Sequence, residues 1–158
     1  MKSIELFVGK YDEDHPTVFP KIIRLFAVLF LNFGVLALLW QLPDTLIRSW
    51  MGDREFANWA TVYSVLLIIY YGSESFSLTF GGGFFMLGSL FVTQRLSMMF
   101  PEDLLIVSGI LIGVSAFFFL IGRLISKSLK NFLNDIIYLP IQPVWVLSYL
   151  YRWIGLSI

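Results

Sequence analysis

The sequence predicts an all-α fold, a polytopic helical membrane protein with four transmembrane helices and amphipathic interfacial segments. Three observations carry that expectation. The chain has 158 residues, of which 58% are hydrophobic and only 14% charged. Soluble domains carry about a quarter charged residues, so this chain lacks the polar atoms to wet a surface of its own. Its apolar residues also gather into long runs, and crossing roughly 30 Å of hydrocarbon takes about 20 such residues in helical form. Finally, polar and helix-breaking residues fall between those runs rather than within them, with few exceptions.

The first run, 22–42, is closed by Pro43 and Asp44. Arg24 falls in its first turn, from which a long side chain can snorkel to the headgroups, and Trp40 lies near its other end as an interfacial aromatic. A short polar connection follows at 44–58, with Arg48, Asp53, Arg54 and Glu55 between Trp50 and Trp59. The next apolar stretch, 59–100, is too long for one helix and is interrupted by Gly72-Ser73-Glu74-Ser75. A glutamate in mid-membrane is costly, so a hairpin is predicted, with spans at about 58–71 and 76–98 around a tight turn at Glu74. Gly81-Gly82-Gly83 lies inside the second of these, where small residues permit close helix contact. Beyond Pro101-Glu102-Asp103, residues 104–122 form a fourth run of 19 residues without a charge, carrying Gly109-x-x-x-Gly113.

Beyond Gly122 the pattern changes. Across 123–135, Ile125, Leu129, Phe132, Leu133 and Ile136 recur at helical spacing, with Arg123, Lys127, Lys130 and Asn134 opposite. This predicts an amphipathic helix in the interface. Segment 136–154 is apolar but holds Pro140 and Pro143, and prolines break helical hydrogen bonding. A re-entrant or kinked element competes there with a fifth span. Ile4, Phe7, Val8 and Tyr11 make a second amphipathic stripe over 3–13. It does not read as a signal peptide, because a 21-residue span follows without a small-residue cleavage site. With four spans, Lys2, Lys10, Lys21, Arg24, Arg123, Lys127 and Lys130 share one side against Arg48, Arg54 and Arg95 on the other. The excess of basic residues places the amino terminus in the cytoplasm. The membrane would be the inner membrane of a bacterium or the endoplasmic reticulum of a eukaryote.

Composition also excludes functions. Eleven basic residues balance eleven acidic ones, which leaves no nucleic-acid footprint. No cysteine is present, hence no thiolate metal site or cysteine nucleophile. His15 is the one histidine, so a metal there would lack a second imidazole. The simplest reading of His15 is an interfacial residue. Arg24 and Arg123 fall at cytoplasmic ends of spans, where they either snorkel or together face a lipid carboxylate or phosphate. Glu74 and Arg95 read as a turn residue and an interfacial cation. Asn32 reads as an interhelical hydrogen-bond partner, worth roughly 0.6 kcal/mol.

A family resemblance runs along nearly the whole chain. Residues 1–5, Tyr11, His15 and Leu39-Trp40-Gln41-Leu42-Pro43, then Asn58-Trp59-Ala60-Thr61 and Tyr70-Tyr71, resemble the Mpo-like family. These membrane proteins are related to fungal 2-hydroxy-fatty-acid dioxygenase. The carboxyl end is the fullest match, with Ile121-Gly122, Phe132, Asp135, Pro143, Trp145, Leu147, Leu150-Tyr151-Arg152 and Gly155 in the family's order. The resemblance implies a ferrous-iron site held by histidines, at which dioxygen shortens a fatty acid by one carbon in α-oxidation. This chain departs from that pattern at the ligands. Of His-x-Asn-Pro-x-Asn-x-x-x-His it keeps His15, while Thr17, Val18, Pro20 and Arg24 replace the other four. Of Gly-His-x-x-Glu-x-x-x-Pro it keeps Gly122, while Arg123, Ser126 and Lys130 replace the rest. Arginine stays protonated and has no lone pair to donate, so neither iron nor any other cofactor is expected, and no residue is assigned as catalytic or metal-binding.

Three functions then compete. The first is a non-catalytic relative in which Arg24, Arg123 and His15 bind an anionic membrane lipid or a fatty-acid-like ligand. The second is an active iron-dependent dioxygenase of unusual ligation, using His15 with Asp12, Asp14 or Glu74. The third is a structural subunit of a larger membrane assembly. Metal content, lipid dependence and co-purifying proteins discriminate them.

Overall fold

The computed structural model describes residues 18–52, 54–74 and 76–126, and among the side chains outside that description are those of Lys21, Glu74 and Arg123. Every regular element among the described residues is helical. In chain order these are α1 (Val18–Trp40), α2 (Thr45–Met51), α3 (Trp59–Glu74), α4 (Phe76–Met99) and α5 (Leu104–Ser126). The four long helices run up and down. The most extensive contact joins α1 to α5, the next joins α3 to α4, and α1 also packs on both α4 and α3.

Local chemistry accounts for the helix ends. Pro20 lies in the first turn of α1, where a missing N–H costs nothing. Asn58 caps α3, its Oδ1 accepting from the Thr61 backbone N–H at 3.1 Å and its Nδ2 donating to the Glu55 carbonyl at 3.2 Å. Asp103 precedes α5 and its carbonyl accepts the first helical bond, from Val107 N–H. A carboxylate there also favours the positive end of the helix dipole.

The helices meet through small residues. Gly34 on α1 lies directly against α5, where an added Cβ would stand 3.1 Å from Ile112 N and 3.2 Å from the Ser108 carbonyl oxygen. Phe30 stacks on Phe118 with centroids 5.9 Å apart. On the other pair, the fully buried Tyr71 ring of α3 fills the space that a side chain at Gly82 of α4 would need. Leu36, Ala60 and Leu90 form the core where α1, α3 and α4 converge, with Leu39, Trp40 and Tyr63 packed around it.

Several expectations need correction. The connection 44–58 contains a helix, α2, because Leu46, Ile47, Trp50 and Met51 fall on one arc and Gly52 ends the turn at φ 81°, a left-handed conformation that favours glycine. Helix α3 does not stop at residue 71; it continues through Gly72 and Ser73 to Glu74, with the Ser73 hydroxyl donating to the Tyr70 carbonyl at 2.7 Å. Arg123 does not begin a separate helix, since α5 continues without a break to Ser126. Gly109 and Gly113 make no close approach among the described residues, where nothing lies within 4 Å of a Cβ added at either. Of the four expected spans, two are long and apolar enough to cross a membrane, Ile22–Trp40 and Leu104–Gly122. The apolar part of α3, Trp59–Ser73, is shorter, and α4 is diluted by Ser77, Thr79, four glycines, the hydroxyl residues Ser89, Thr93 and Ser97, and Gln94-Arg95. The amphipathic stretches 3–13 and 127–135 and the segment 136–154 lie outside the described residues.

Candidate functional site

Beside the apolar core, many polar side chains are buried and many large apolar ones are exposed. Asn32, Asn58, Ser64, Ser89, Thr93, Gln94, Ser108 and Ser115 are all buried. Phe76, Phe80, Phe84, Leu87 and Phe91, spaced by four and three residues, leave one whole face of α4 exposed and apolar. Ile106, Ile110, Phe117, Leu120 and Leu124 do the same on α5.

Four of the buried hydroxyls donate to backbone carbonyls, within their own helix or across to another. Ser64, Thr93 and Ser108 donate to carbonyls of the preceding turn, those of Ala60, Ser89 and Leu105. Ser115 instead reaches across to α1 and donates to the Ala27 carbonyl at 2.7 Å. Asn32 donates from Nδ2 to the Ser89 hydroxyl at 3.0 Å, joining α1 to α4. At the end of the bundle where α1 finishes and α3 begins, Gln94 Nε2 donates to the Glu55 carboxylate.

Among the described residues, one charged side chain lies within this interior. Arg24, one and a half turns into α1, is 2% exposed. The methyl group of neighbouring Ile23 and the Arg24 stem both stand 3.7 Å from the position of a Cβ on Gly122, so the stem runs against α5 at a residue without a side chain. Its Nε has no hydrogen bond, but the side chain interacts elsewhere in the chain, so the residue is not an orphan. Antiparallel packing of α1 on α5 puts positions 24 and 122 at one level, with position 123 next in the chain. Arg24 and Arg123 thus occupy the same end of neighbouring helices. The Arg123 side chain and His15 lie outside the described residues.

The chain was compared with protein-family models, curated proteins and solved structures. Nothing matches in any of the three.

The donor set at position 24 does not fit the iron that the Mpo-like resemblance implies. A guanidinium is a fixed cation with five N–H donors and no acceptor, and it repels a metal ion from the position where the family has a histidine. The same group suits an oxyanion, which it meets with two parallel hydrogen bonds. Among the described residues no three His, Cys, Asp or Glu side chains gather at one point.

Sequence reasoning identified Asn32 but not its partner Ser89, and it missed Ser115, Gln94 and the seat of Tyr71 on Gly82. A weak signal existed for the first of these. A serine on the glycine-rich, small-residue face of one helix is a natural partner for an amide on another.

Proposed function

We propose that this chain is a four-span integral membrane protein, a divergent relative of the Mpo-like family that has given up iron catalysis. On this reading the guanidinium of Arg24 holds the acidic headgroup of a lipid or fatty acid. The observation that carries it is the burial of Arg24 against Gly122, at the position where the resemblance has a metal-binding histidine. A guanidinium meets a carboxylate or phosphate with two parallel hydrogen bonds, and its five donors leave room for such a group beside contacts within the chain. A chain with no use for a charge there would place an apolar residue instead. The exposed large apolar side chains on all four long helices, α3 and α4 included, together with the buried polar ones, support a lipid surrounding. In water such faces would be an aggregation hazard. The cytoplasmic amino terminus follows from the excess of basic residues on that side.

The test is reconstitution in phosphatidylcholine with and without phosphatidic acid or oleate. A ligand that binds only the folded state raises Tm by mass action, so the acidic component is expected to stabilise the wild type. Arg24→Gln should lose that increment and Arg24→Lys keep part of it, each compared with its own Tm in pure phosphatidylcholine. An equal increment in Arg24→Gln overturns the assignment of the anion to Arg24. Near-stoichiometric iron in the purified protein would overturn the loss of catalysis and favour an iron-dependent fatty-acid dioxygenase.

A further inference from the structure

Helix α2 places apolar side chains where none of the described residues covers them. At about 100° per residue, Leu46, Trp50, Ile47 and Met51 fall within an arc of roughly 140°, and Arg48, Thr45 and Ser49 fill the remainder. Of the four, only Ile47 is buried. Leu46 is 60% exposed, Trp50 86% and Met51 50%, and Phe56 beyond the helix is 40% exposed. Tryptophan is among the more buried residues on average, so an indole this bare implies an occupant for the face.

The surroundings of α2 identify that occupant. A short tether joins it to Trp40 at the end of α1 and another to Trp59 at the start of α3. Trp59 Nε1 donates to the Pro43 carbonyl at 2.8 Å, and Trp40 meets the Phe56 ring edge-on at 5.9 Å. These contacts and buried Ile47 hold α2 against the end of the bundle, at the height where α1 leaves its apolar run. Cations and tryptophans together are what a headgroup layer selects. Arg48, bonded to Asp44 at 2.8 Å, lies on the polar arc, and Arg54 is exposed just beyond it.

We propose that α2 is an interfacial anchor, lying flat in the headgroup layer of the bilayer that the long helices cross, with Leu46, Trp50 and Met51 dipping into the acyl boundary. The proposal rests on the membrane reading above but not on Arg24 or any ligand.

The chain has no cysteine, so single-cysteine labelling needs no background substitutions. Spin labels are placed by Leu46→Cys, Trp50→Cys and Met51→Cys on the apolar arc and by Arg48→Cys and Ser49→Cys on the polar one. A sixth, Phe84→Cys, reports from the exposed face of α4. The full-length protein is reconstituted in vesicles of phosphatidylcholine and phosphatidylglycerol, and collision with oxygen is compared with collision with a water-soluble nickel chelate. The oxygen-to-nickel ratio should be severalfold higher at 46, 50 and 51 than at 48 and 49. If nickel dominates at all five while position 84 stays oxygen-rich, the anchor is overturned and the membrane reading stands. If nickel also dominates at 84, both fall. Dipolar broadening between labels at position 50 of two molecules overturns the lipid assignment in favour of a second copy on this face.

Discussion

The two helix pairs of this bundle solve the same packing problem with opposite materials. Helices α1 and α5 are the more apolar pair, yet they hold the buried arginine and a side-chain-to-backbone clamp, Ser115 to Ala27. Helices α3 and α4 are richer in glycine and hydroxyl groups and close around a single large ring, Tyr71 on Gly82. The most apolar helix is also poorly buried. In the apolar window of α5 only 17% of residues are buried inside the chain, against 39% in that of α1. A core helix in water would show the reverse, because apolar area leaves water first. Apolar character here therefore measures contact with the surroundings, and small residues measure contact with neighbouring helices.

That comparison breaks most directly at Gly34. Backbone atoms of Ile112 and Ser108 stand within contact range of its missing Cβ, so Gly34→Leu must push α1 from α5. A loss of about 1–3 kcal/mol is expected, as for overpacked cores, read as an earlier midpoint in detergent-induced or thermal unfolding. Gly109→Leu and Gly113→Leu provide the contrast on the other face of α5. Open space surrounds both, and each should change stability by less than about 0.5 kcal/mol, as surface substitutions do. Equal losses at all three would mean that the outer face of α5 is packed after all.

The second pair is probed at Gly82. Gly82→Ala sets a methyl group into the Tyr71 ring, which is fully buried and has no room to retreat. A loss of about 1–2 kcal/mol is expected. Tyr71→Leu on the same background should recover part of it, because residues in contact do not add independently. Simple additivity of the two substitutions would show that the ring and the glycine do not limit each other's space.

How much of this was legible beforehand follows the same division. Long apolar runs without breaks, as at 104–122, gave away α5 because hydropathy alone decides them. Helix α2 was hidden because seven residues are too few for periodicity to stand out, and its polar arc dominated the composition of 44–58. The continuation of α3 to Glu74 was hidden because Gly72-Ser73 reads as a breaker when the supporting neighbour, Thr79, is unknown. Arg24 was visible as a candidate from its place at the end of a span, and the resemblance added to that. Its burial was not, since an arginine in a first turn is equally compatible with snorkelling. Which glycines make contact depends on helix rotation: the run Gly81-Gly82-Gly83 contained one that does, Gly82, while the GxxxG spacing pointed to Gly109 and Gly113 and Gly34 went unmarked.

A smaller effect is expected at the start of α3. Asn58 is buried and satisfies the Thr61 N–H while bonding back to the Glu55 carbonyl. Asn58→Ala removes both contacts, and loss of a cap costs about 1 kcal/mol. Asn58→Asp keeps the acceptor but loses the donor, so its unfolding midpoint should fall between those of alanine and wild type. Equal midpoints for alanine and aspartate would assign the role of Asn58 to its packing.

The link between the two pairs should be the weakest point to perturb. Asn32 on α1 and Ser89 on α4 share a buried hydrogen bond of 3.0 Å, yet such bonds in membrane bundles average only about 0.6 kcal/mol, because the separated helices also find partners. Ser89→Ala removes the acceptor and leaves the Asn32 amide without that bond, so a loss near the average is expected, read from the same unfolding midpoints. Asn32→Leu removes donor and amide together. It should cost no more than Ser89→Ala where the apolar side chain fits, since deleting both members of a pair avoids a stranded polar group. The double variant then decides what the bond is for. If it matches Asn32→Leu alone, the bond contributes through pairing only. If it is destabilised well beyond either single change, Ser89 and Asn32 are spacing α1 from α4 by volume. The two pairs would then be held together by shape, as α1 and α5 are at Gly34.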